Sequence, residues 1–217
     1  MRSKFELYVF DLDGTLVNSL RDLAESVNKG LVKIGLKPHE TEHYKAFVGN
    51  GREVLLQKAM GDAYNDEEKR AVVRNTFDSE YALHSMDNTK AYDGCAETLL
   101  KLLERGAKIA VLSNKPNEFV KRILDEIYPE IEFTAAWGQQ EKYKRKPSGE
   151  ALCAMLELLG VKKENCLYLG DSDVDVYTAQ DAGVPMCGVL WGFRSRDELI
   201  NAGASMVISR AEEILSL

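Results

Sequence analysis

The chain lacks any long apolar run. No stretch approaches the roughly 18 consecutive apolar residues that a membrane-spanning helix requires. The apolar run near the N-terminus is interrupted by Glu6 and ends at Asp11, so it is too short for a secretory signal. We therefore expect no membrane partner and no export by such a signal.

Cysteine is scarce, and its spacing is not that of a metal or redox motif. The chain contains four cysteines, and no two of them form a CxxC pair. Because they lie in apolar surroundings, we predict that they are buried free thiols, which is typical of a cytoplasmic protein. They are Cys95, Cys153, Cys166 and Cys187.

Basic residues are also fewer than acidic ones. Lysine and arginine number 28 against 35 aspartates and glutamates, which gives a formal net charge of -7. This balance argues against the broad basic surface that nucleic-acid binding requires. An anionic substrate would therefore need a local cluster of cations or a metal ion.

The chain does contain alternating secondary-structure signals. Its 217 residues are 45% hydrophobic, which is enough for one core domain and a smaller second domain. From residue 94 onward, each strand-like run is separated from the next by a helical pattern, which predicts an α/β fold with a Rossmann-like parallel sheet and helices on both faces. The predicted strands are 7–10, 108–112, 133–136, 166–169, 185–189 and, more weakly, 206–208.

Residues 17–88 carry helical patterns in place of strands. We predict that they form an all-helical cap domain inserted into a discontinuous core of residues 1–16 and 89–217, since a hinged insertion beside a site is typical of a lid. One predicted helix starts after Asn18 or Ser19, and another covers 51–60. A third follows Asn65, with an apolar side made of Val72, Val73, Phe77, Tyr81 and Leu83.

Two carboxylates follow directly on the first strand. Asp11 and Asp13 precede Gly14 and Thr15 in the segment DLDGT. Residues i and i+2 of an extended segment point the same way, so both acids could face one ligand. Two acids this close repel each other unless a positive group lies between them, which a metal ion with phosphate chemistry would explain. The alternative is an ordinary turn, because Asp and Gly both favour turns.

Further polar residues occur where other strands end or helices begin. Ligands of open α/β sheets bind beyond the carboxyl ends of the strands, so these residues are expected to share one crevice with the acid pair. Each has a plain alternative taken singly, namely a helix cap or a solvated loop. The residues are Ser113, Asn114, Lys115, Lys146, Asp171 and Asp175.

Together these motifs resemble the haloacid dehalogenase-like superfamily in its phosphatase branch. The resemblance covers nearly the whole chain, and 17–88 looks like the helical cap of that family. Asp13 points to a phosphoryl substrate, because the dehalogenases of the superfamily lack an acid at this position. The matched motifs are DxDGT at Asp11, Asp13, Gly14 and Thr15, then Ser113, then Lys146-Pro147, and GDxxxD at Gly170, Asp171 and Asp175.

The resemblance implies a mechanism. Asp11 would attack phosphorus and form an aspartyl-phosphate, with Asp13 as general acid and then general base. Magnesium would be held by Asp11, the Asp13 backbone carbonyl and Asp171, with Asp175 holding Lys146 or a metal-bound water. The phosphate oxygens would be bound by Ser113, Lys146 and backbone N–H groups around Leu12 to Thr15, which makes Gly14 and Thr15 substrate-binding candidates.

The substrate is predicted to be a small phosphorylated metabolite. The segment 48–52 resembles the cap loop of phosphoglycolate phosphatases, and Ser113-Asn114-Lys115 also looks like that subgroup. The resemblance makes phosphoglycolate the preferred substrate and Gly51, Arg52 and Asn114 further candidates for substrate binding. Arg52 would grip a substrate carboxylate, or else it is an exposed arginine at a helix start. A second proline two residues after Pro147, common in that subgroup, is absent here.

Other functions remain open from the sequence. A sugar phosphomutase or a pyrophosphatase of the same fold would need the same acid pair, and a non-catalytic binding protein is a third possibility. We expect a monomer or a homodimer.

Overall fold

The structure is a computed structural model in which residues 3–217 are described. The chain divides into two compact units. The first contains the residues up to 17 together with 91–217, and the second contains 18–90. Among the described residues, no helix is both long and apolar enough to cross a membrane.

Strands and α-helices alternate along the chain from residue 90 onward. The strands are β1 (Leu7–Phe10), β2 (Val17–Asn18), β3 (Lys90–Ala91), β4 (Lys108–Pro116), β5 (Ala135–Gln139), β6 (Cys166–Gly170), β7 (Met186–Val189) and β8 (Val207–Ile208). The α-helices are α1 (Leu20–Lys33), α2 (Arg52–Met60), α3 (Glu67–His84), α4 (Cys95–Glu104), α5 (Asn117–Ile127), α6 (Glu150–Leu159), α7 (Asp173–Ala182) and α8 (Arg196–Ala202).

The first unit is built on one six-stranded sheet. Its order is β5-β4-β1-β6-β7-β8, and neighbouring strands are parallel throughout. The helices α4 to α8 lie around this sheet, as parallel strands require crossover connections. The predicted α/β fold with a parallel Rossmann-like sheet is therefore confirmed.

The central strands are buried, and the last residue of β1 lies beside residues of both neighbouring strands. All residues of β1 and β6 are buried, as expected for strands covered on both faces. Phe10, the last residue of β1, pairs with Val111 of β4 and with Leu169 of β6. The residue that follows β1 is Asp11, and it is therefore delivered to the carboxyl edge of the sheet between its two neighbouring strands.

The boundaries of two strands, β4 and β5, differ from those predicted by more than one residue. β5 begins at Ala135 rather than at 133, and it includes Gly138, where a Cβ atom would collide with the backbone at Lys115. β4 continues past 112 to Pro116, with irregular pairing to β5 between Leu112 and Pro116. Residues 113–115 are buried but polar, so they continue the strand without the apolar run that marks it in the sequence.

The second unit is helical. α1 lies against α3, and the two approach closely at Gly30, where a Cβ atom would lie 3.0–3.1 Å from atoms of Val73. The unit also contains α2 and two short 3-10 helices, Thr41–Ala46 and Gly61–Asn65. The absence of a side chain at Gly30 therefore sets how near the two long helices lie.

The predicted apolar side of α3 is correct for three of its five residues. Val73, Phe77 and Tyr81 are buried at a spacing of four residues, whereas Val72 and Leu83 are 41% and 72% exposed. Successive helical residues turn by about 100°, so neither of the last two can join a stripe defined by every fourth residue. Their apolar character alone suggested a wider buried face than the helix has.

The cysteines mostly follow the sequence prediction. All four cysteines are free thiols, and three are buried, while Cys153 is half-buried. His39 is half-buried, and its Nε2 lies 2.8 Å from the Ala59 carbonyl oxygen.

Asp22 fixes α1 to the end of the second unit. Its carboxylate is 2% exposed and accepts hydrogen bonds of 2.7–3.0 Å from the backbone N–H groups and side chains of Asn88 and Thr89. Removing a buried charged acceptor leaves its donors without a partner, which costs more than a lost surface contact. Asp22 is therefore expected to stabilise the fold of this unit.

We expect Asp22→Ala to lower the free energy of unfolding by on the order of 3 kcal/mol. Glu25→Ala, three residues along α1, breaks only an exposed pair with Arg21 and should change it by less than about 0.5 kcal/mol. Urea denaturation of both variants measures the difference. Equal stability of the two variants would show that the Asp22 hydrogen bonds contribute little.

Candidate active site

Three neighbouring strands deliver polar residues to one edge of the sheet. Asp11 follows β1, Ser113 to Lys115 lie at the end of β4, and Asp171 follows β6. Because β4, β1 and β6 are adjacent and parallel, their carboxyl ends lie side by side. The structure therefore brings together segments that are about a hundred and sixty residues apart in the chain.

Lys146 links two buried carboxylates. Its Nζ lies 2.8 Å from an oxygen of Asp11 and 2.7 Å from an oxygen of Asp175, and all three side chains are less than a tenth exposed. The Tyr168 hydroxyl lies 3.1 Å from both Lys146 Nζ and an Asp175 oxygen. A lysine held from three sides has a fixed ammonium position, which suits the binding of an anionic group.

Asn114 fixes the backbone of Lys146. Its side-chain Nδ2 donates to the Lys146 carbonyl oxygen at 3.0 Å, and its Oδ1 accepts from the Lys146 N–H at 2.9 Å. Asn114 was predicted to bind substrate, and that role stays a prediction; in this structure its amide is paired with the loop that carries the lysine. The pairing joins two separate motifs of the chain, so neither motif alone could reveal it.

Asp171 lies in a narrow space at the end of β6. Its Oδ2 accepts from the Phe193 N–H at 2.8 Å, and its Oδ1 accepts from the Thr15 hydroxyl at 3.3 Å. A Cβ atom at Gly14 or at Gly192 would overlap the carboxylate. These two glycines are therefore required by the close approach of the backbone to Asp171.

The predicted phosphate-binding N–H groups in the DLDGT turn are only partly available. The Gly14 N–H donates to the Val17 carbonyl at 2.9 Å, and the Thr15 N–H donates to the Leu12 carbonyl at 3.3 Å. The roles predicted for Gly14 and Thr15 as substrate donors therefore compete with hydrogen bonds that hold the turn. In this structure Gly14 makes room for Asp171, and Thr15 donates to it.

Three buried carboxylates form a cluster that could hold a metal ion. Asp11, Asp171 and Asp175 each offer an oxygen, and these oxygens lie within 4.8 Å of one another. The predicted metal ligands Asp11 and Asp171 are in the cluster. Asp175, which was predicted to hold Lys146 or a metal-bound water, also belongs to it. Asp13 was predicted to bind through its backbone carbonyl, and that contribution stays a prediction.

The electrostatics of the cluster fit a cation. Burial raises the pKa of Asp11 to about 7 in spite of the nearby Lys146 ammonium, and Asp175 and Asp13 add to the rise. Burial, with the charges of Asp175 and Asp11, raises the pKa of Asp171 well above its usual range. Burial acts to lower the pKa of Lys146, but Asp11 and Asp175 hold it well above its usual value.

Burial is the largest cause of both carboxyl shifts, and the neighbouring carboxylates add to it, so ionising the whole cluster is unfavourable without a further positive charge. Oxygen donors of this kind are the ligands that hard divalent cations prefer, and a divalent ion would offset the repulsion among them. The residues present therefore fit a bound metal ion.

Lys115 is the partner of Asp13, which sequence reasoning did not assign. Its Nζ lies 2.9 and 2.8 Å from the two carboxylate oxygens of Asp13, and its side chain is 4% exposed. Ser113 Oγ accepts from the Lys115 N–H at 3.3 Å, and the serine is also buried. Alternation along an extended segment places residues 113 and 115 on the same side, and that signal was present in the sequence.

The segment after β7 was also missed. Phe193 supplies an N–H to Asp171, and Trp191 donates from Nε1 to the Thr15 carbonyl oxygen at 2.9 Å. The buried Arg194 adds positive charge near Asp171. Nothing in the local pattern of this segment marks it as part of a site, because its partners Thr15 and Asp171 lie elsewhere in the chain.

The two site residues predicted in the second unit lie at the start of α2. Gly51 precedes the helix with a φ of 80°, a conformation that favours glycine. Arg52 is bound within its own unit, since its NH1 donates to both oxygens of Asp78 at 2.8 Å and its Nε to Glu53 at 3.2 Å. Its predicted role in holding a substrate carboxylate stays a prediction.

An acid pair, a buried lysine and a carboxylate cluster therefore lie together at the carboxyl edge of the parallel sheet. The model of the haloacid dehalogenase-like hydrolase family matches residues 8–189. The chain belongs to this family.

The chain is similar over most of its length to known members. It is 31% identical to phosphoglycolate phosphatase 1 of Pseudomonas aeruginosa over 214 residues, which covers 96% of this chain and 78% of the relative. It is 31% identical to phosphoglycolate phosphatase of Aquifex aeolicus over 209 residues, which covers 96% and 94%. The predicted family is therefore confirmed.

A solved structure agrees with these relatives. A crystal structure described as a "predicted phosphoglycolate phosphatase" from Haemophilus somnus superposes with a TM-score of 0.91 at 29% identity, covering 99% of this chain and 98% of that one. The predicted enzyme class, a phosphoric monoester hydrolase, is confirmed by these comparisons.

Proposed function

We propose that the protein is a magnesium-dependent phosphatase that hydrolyses small phosphomonoesters through an aspartyl-phosphate on Asp11. The observation that carries the proposal is the position of the Lys146 ammonium, 2.8 Å from Asp11 beside the Asp171 and Asp175 carboxylates. A phosphate placed there would meet a nucleophile and a cation together. Phosphoryl transfer depends mainly on such positioning and charge stabilisation.

In the first step Asp11 attacks the phosphorus of the ester. A bond forms between its carboxylate oxygen and phosphorus, and the bond from phosphorus to the leaving alcohol oxygen breaks. Lys146 and the Ser113 hydroxyl hold the non-bridging oxygens. Asp13 gives its proton to the leaving oxygen, so that the alcohol departs neutral.

In the second step Asp13 takes a proton from water. The water oxygen attacks phosphorus, the bond to Asp11 breaks, and inorganic phosphate leaves with the carboxylate restored. Magnesium, when bound by Asp11 and Asp171 with the Asp13 carbonyl, supplies positive charge against the repulsion between carboxylates and phosphate. Asp175 keeps Lys146 in place throughout these steps.

We infer that phosphoglycolate is the best single substrate. The support is the 31% identity to phosphoglycolate phosphatases of two organisms, together with a deeply buried lysine on the Asp13 side of the site. The helical unit of residues 18–90 would act as the cap that admits the leaving group. The cytoplasmic setting and the state of monomer or homodimer stay predictions.

Removal of divalent metal should abolish the activity. With EDTA, phosphate release from phosphoglycolate should fall to background, because the carboxylate cluster then repels the phosphate. Magnesium added in excess should restore it, whereas calcium should restore little, since calcium prefers a larger and looser oxygen shell. A metal-free protein that keeps its rate would contradict the proposal.

A panel of phosphorylated metabolites tests the substrate. Phosphate release from phosphoglycolate should exceed release from pyrophosphate and from sugar monophosphates. Conversion of a sugar phosphate to its isomer without phosphate release would instead indicate a phosphomutase. Absence of turnover on the whole panel with magnesium would indicate a binding protein.

A further inference from the structure

The hydroxyl group of Tyr168 lies beside both the lysine and a carboxylate of the site. Tyr168 is on β6 and is fully buried. Its hydroxyl oxygen lies 3.1 Å from Lys146 Nζ, 3.1 Å from an oxygen of Asp175 and 3.5 Å from the Leu112 carbonyl oxygen. Burial raises the pKa of Tyr168 well above its usual value, so the hydroxyl keeps its proton. Of the two acceptors, the Asp175 carboxylate is charged and nearer, so the proton is donated to Asp175 and the hydroxyl oxygen accepts from Lys146.

Asp175 accepts hydrogen bonds on both of its oxygens. Its Oδ1 accepts from Lys146 Nζ at 2.7 Å and from the Tyr168 hydroxyl at 3.1 Å. Its Oδ2 accepts from the Ser172 hydroxyl at 2.7 Å and from the Ser172 N–H at 3.1 Å. A carboxylate has about four acceptor positions, so these four donors satisfy it. Neutral donors therefore offset part of the charge of Asp175, and the lysine is not its sole partner.

The contacts of Lys146 are unevenly distributed around its ammonium group. Its Nζ, the Asp175 Oδ1 and the Tyr168 hydroxyl oxygen form a nearly equilateral triangle with sides of 2.7, 3.1 and 3.1 Å. The angle between the two acceptors, seen from Nζ, is therefore much smaller than the tetrahedral angle between two ammonium hydrogens. The two acceptors consequently share one hydrogen in a three-centre bond. A second hydrogen is donated to Asp11 at 2.8 Å, which leaves the third for another acceptor.

Under the proposed function, the acceptor of the third hydrogen is a non-bridging oxygen of the phosphate. If Asp175 and Tyr168 each took a separate hydrogen, all three would be used, and the phosphate would have to displace a protein contact. The direction of the ammonium hydrogens therefore depends on the place of the Tyr168 hydroxyl beside Asp175.

We propose that Tyr168 is a positioning residue of the phosphatase reaction, whose hydroxyl keeps one hydrogen of Lys146 directed at the phosphate. The inference rests on the proposed function, in which Lys146 binds the phosphate, and it names the group that orients the lysine. Without the hydroxyl, Asp175 loses a donor, and its attraction for Lys146 increases. The ammonium group then turns toward the two carboxylates, and its contact to the phosphate weakens.

Tyr168→Phe removes only the hydroxyl group. With saturating magnesium and an aryl phosphate as substrate, kcat/KM should fall by about 10-fold, as expected for the loss of one buried hydrogen bond. The inhibition constant of inorganic phosphate should rise by a similar factor, because this anion uses the same ammonium hydrogen. Partial unfolding would instead lower kcat and leave KM and the inhibition constant as they are. An unchanged inhibition constant in the variant would overturn the proposal.

A double-mutant cycle with Lys146→Met tests whether Tyr168 acts through the lysine. In the Lys146→Met background, Tyr168→Phe should lower kcat/KM by less than about 2-fold, because no ammonium group remains to be oriented. A loss of the same size in both backgrounds would show that Tyr168 acts independently of Lys146, and the proposal would be wrong. Tyr8→Phe is the matched control. This buried tyrosine of β1 accepts from the Ser3 hydroxyl at 2.9 Å, and its replacement should leave kcat/KM unchanged.

A crystal structure of the wild type with magnesium and tungstate, a phosphate analogue, keeps the inference testable even if Tyr168→Phe does not fold. A tungstate oxygen should accept from Lys146 Nζ while the Tyr168 hydroxyl keeps its contacts to Lys146 and Asp175. Exchange of the Tyr168 contact for the tungstate oxygen would overturn the role of Tyr168 while the phosphatase function stands. Release of phosphate from no ester by the wild type would overturn the proposed function itself.

Discussion

Asp11→Asn should lose phosphatase activity by on the order of 10⁴-fold or more, because an amide cannot form the aspartyl-phosphate. Three observations single out Asp11. It directly follows the central strand β1, it lies 2.8 Å from Lys146, and it belongs to the carboxylate cluster. Initial rates of phosphate release with saturating magnesium measure the loss. Asp125→Asn, an exposed acid on α5, is the control and should keep its rate.

The same variant should stay folded. Burial raises the pKa of Asp11 from its usual value near 3.8 to about 7, so in the metal-free protein this carboxyl favours the folded state below about pH 4. That stability is lost as the pH rises toward 7, where the buried group must ionise. An asparagine carries no such cost, and the thermal unfolding midpoint of metal-free Asp11→Asn at pH 8 should not lie below that of the wild type.

The outcome that contradicts this assignment is residual turnover in a folded variant. Beryllium fluoride provides a second readout, since it should bind the wild type as a mimic of the aspartyl-phosphate and should not bind Asp11→Asn. If the folded variant retained appreciable phosphate release, another group would have to be the nucleophile.

Lys146→Met should raise the activation barrier by on the order of 2 to 4 kcal/mol, which corresponds to the loss of one preorganised donor. In rate this is roughly 30- to 1000-fold. The lysine is 3% exposed and is fixed by Asp11, Asp175 and Tyr168, so its contribution exceeds that of a mobile surface charge. The loss should appear mainly in kcat/KM for all phosphate esters, because every one of them presents the same oxygens.

Stability has to be measured together with activity for this variant. Without Lys146, the buried carboxylates of Asp11 and Asp175 lose their shared cation, and removal of one partner of a buried pair costs about 3–5 kcal/mol. Magnesium should recover part of that loss by binding the same carboxylates. Lys146→Arg keeps the charge with a different geometry, and it should fold well but remain slow.

Lys144→Met serves as the matched control in the same loop. Lys144 is exposed, two residues before Lys146, and its replacement should change neither rate nor stability appreciably. A similar loss of activity in both variants would mean that the loop acts through its overall charge and not through the single ammonium beside Asp11.

Some parts of the fold and site were predictable because they are local in the chain. The unbroken apolar residues of β1 predict a strand covered on both faces, and the alternation after residue 94 predicts parallel strands with crossover helices. The pair Asp11 and Asp13 is visible because the two acids directly follow the strand and are two residues apart. In each case the physical cause operates over a few residues, so it leaves a pattern that can be read without the tertiary structure.

Other parts, namely the protein partners of individual polar residues, were not predictable from the sequence. Asn114 lies in a motif, but it pairs with the Lys146 backbone 32 residues away. Arg52 was considered for a substrate, and its nearest partner within its unit is Asp78, one helix further along the chain. The identity of a polar residue indicates that it needs a partner, and only the packing of elements determines which one is in reach.

The amino-acid sequence by itself determined the parallel α/β architecture, the helical character of 17–88 and the presence of an acid pair at the end of a buried strand. The tertiary structure decided that Lys146 joins Asp11 to Asp175, that Lys115 holds Asp13, and that the backbone at Phe193 supports Asp171. The reason is the separation along the chain over which each physical cause acts. Side-chain periodicity acts between neighbours in the chain, whereas a charged group at the edge of a sheet is matched by whatever residues the neighbouring strands bring within about 3 Å of it.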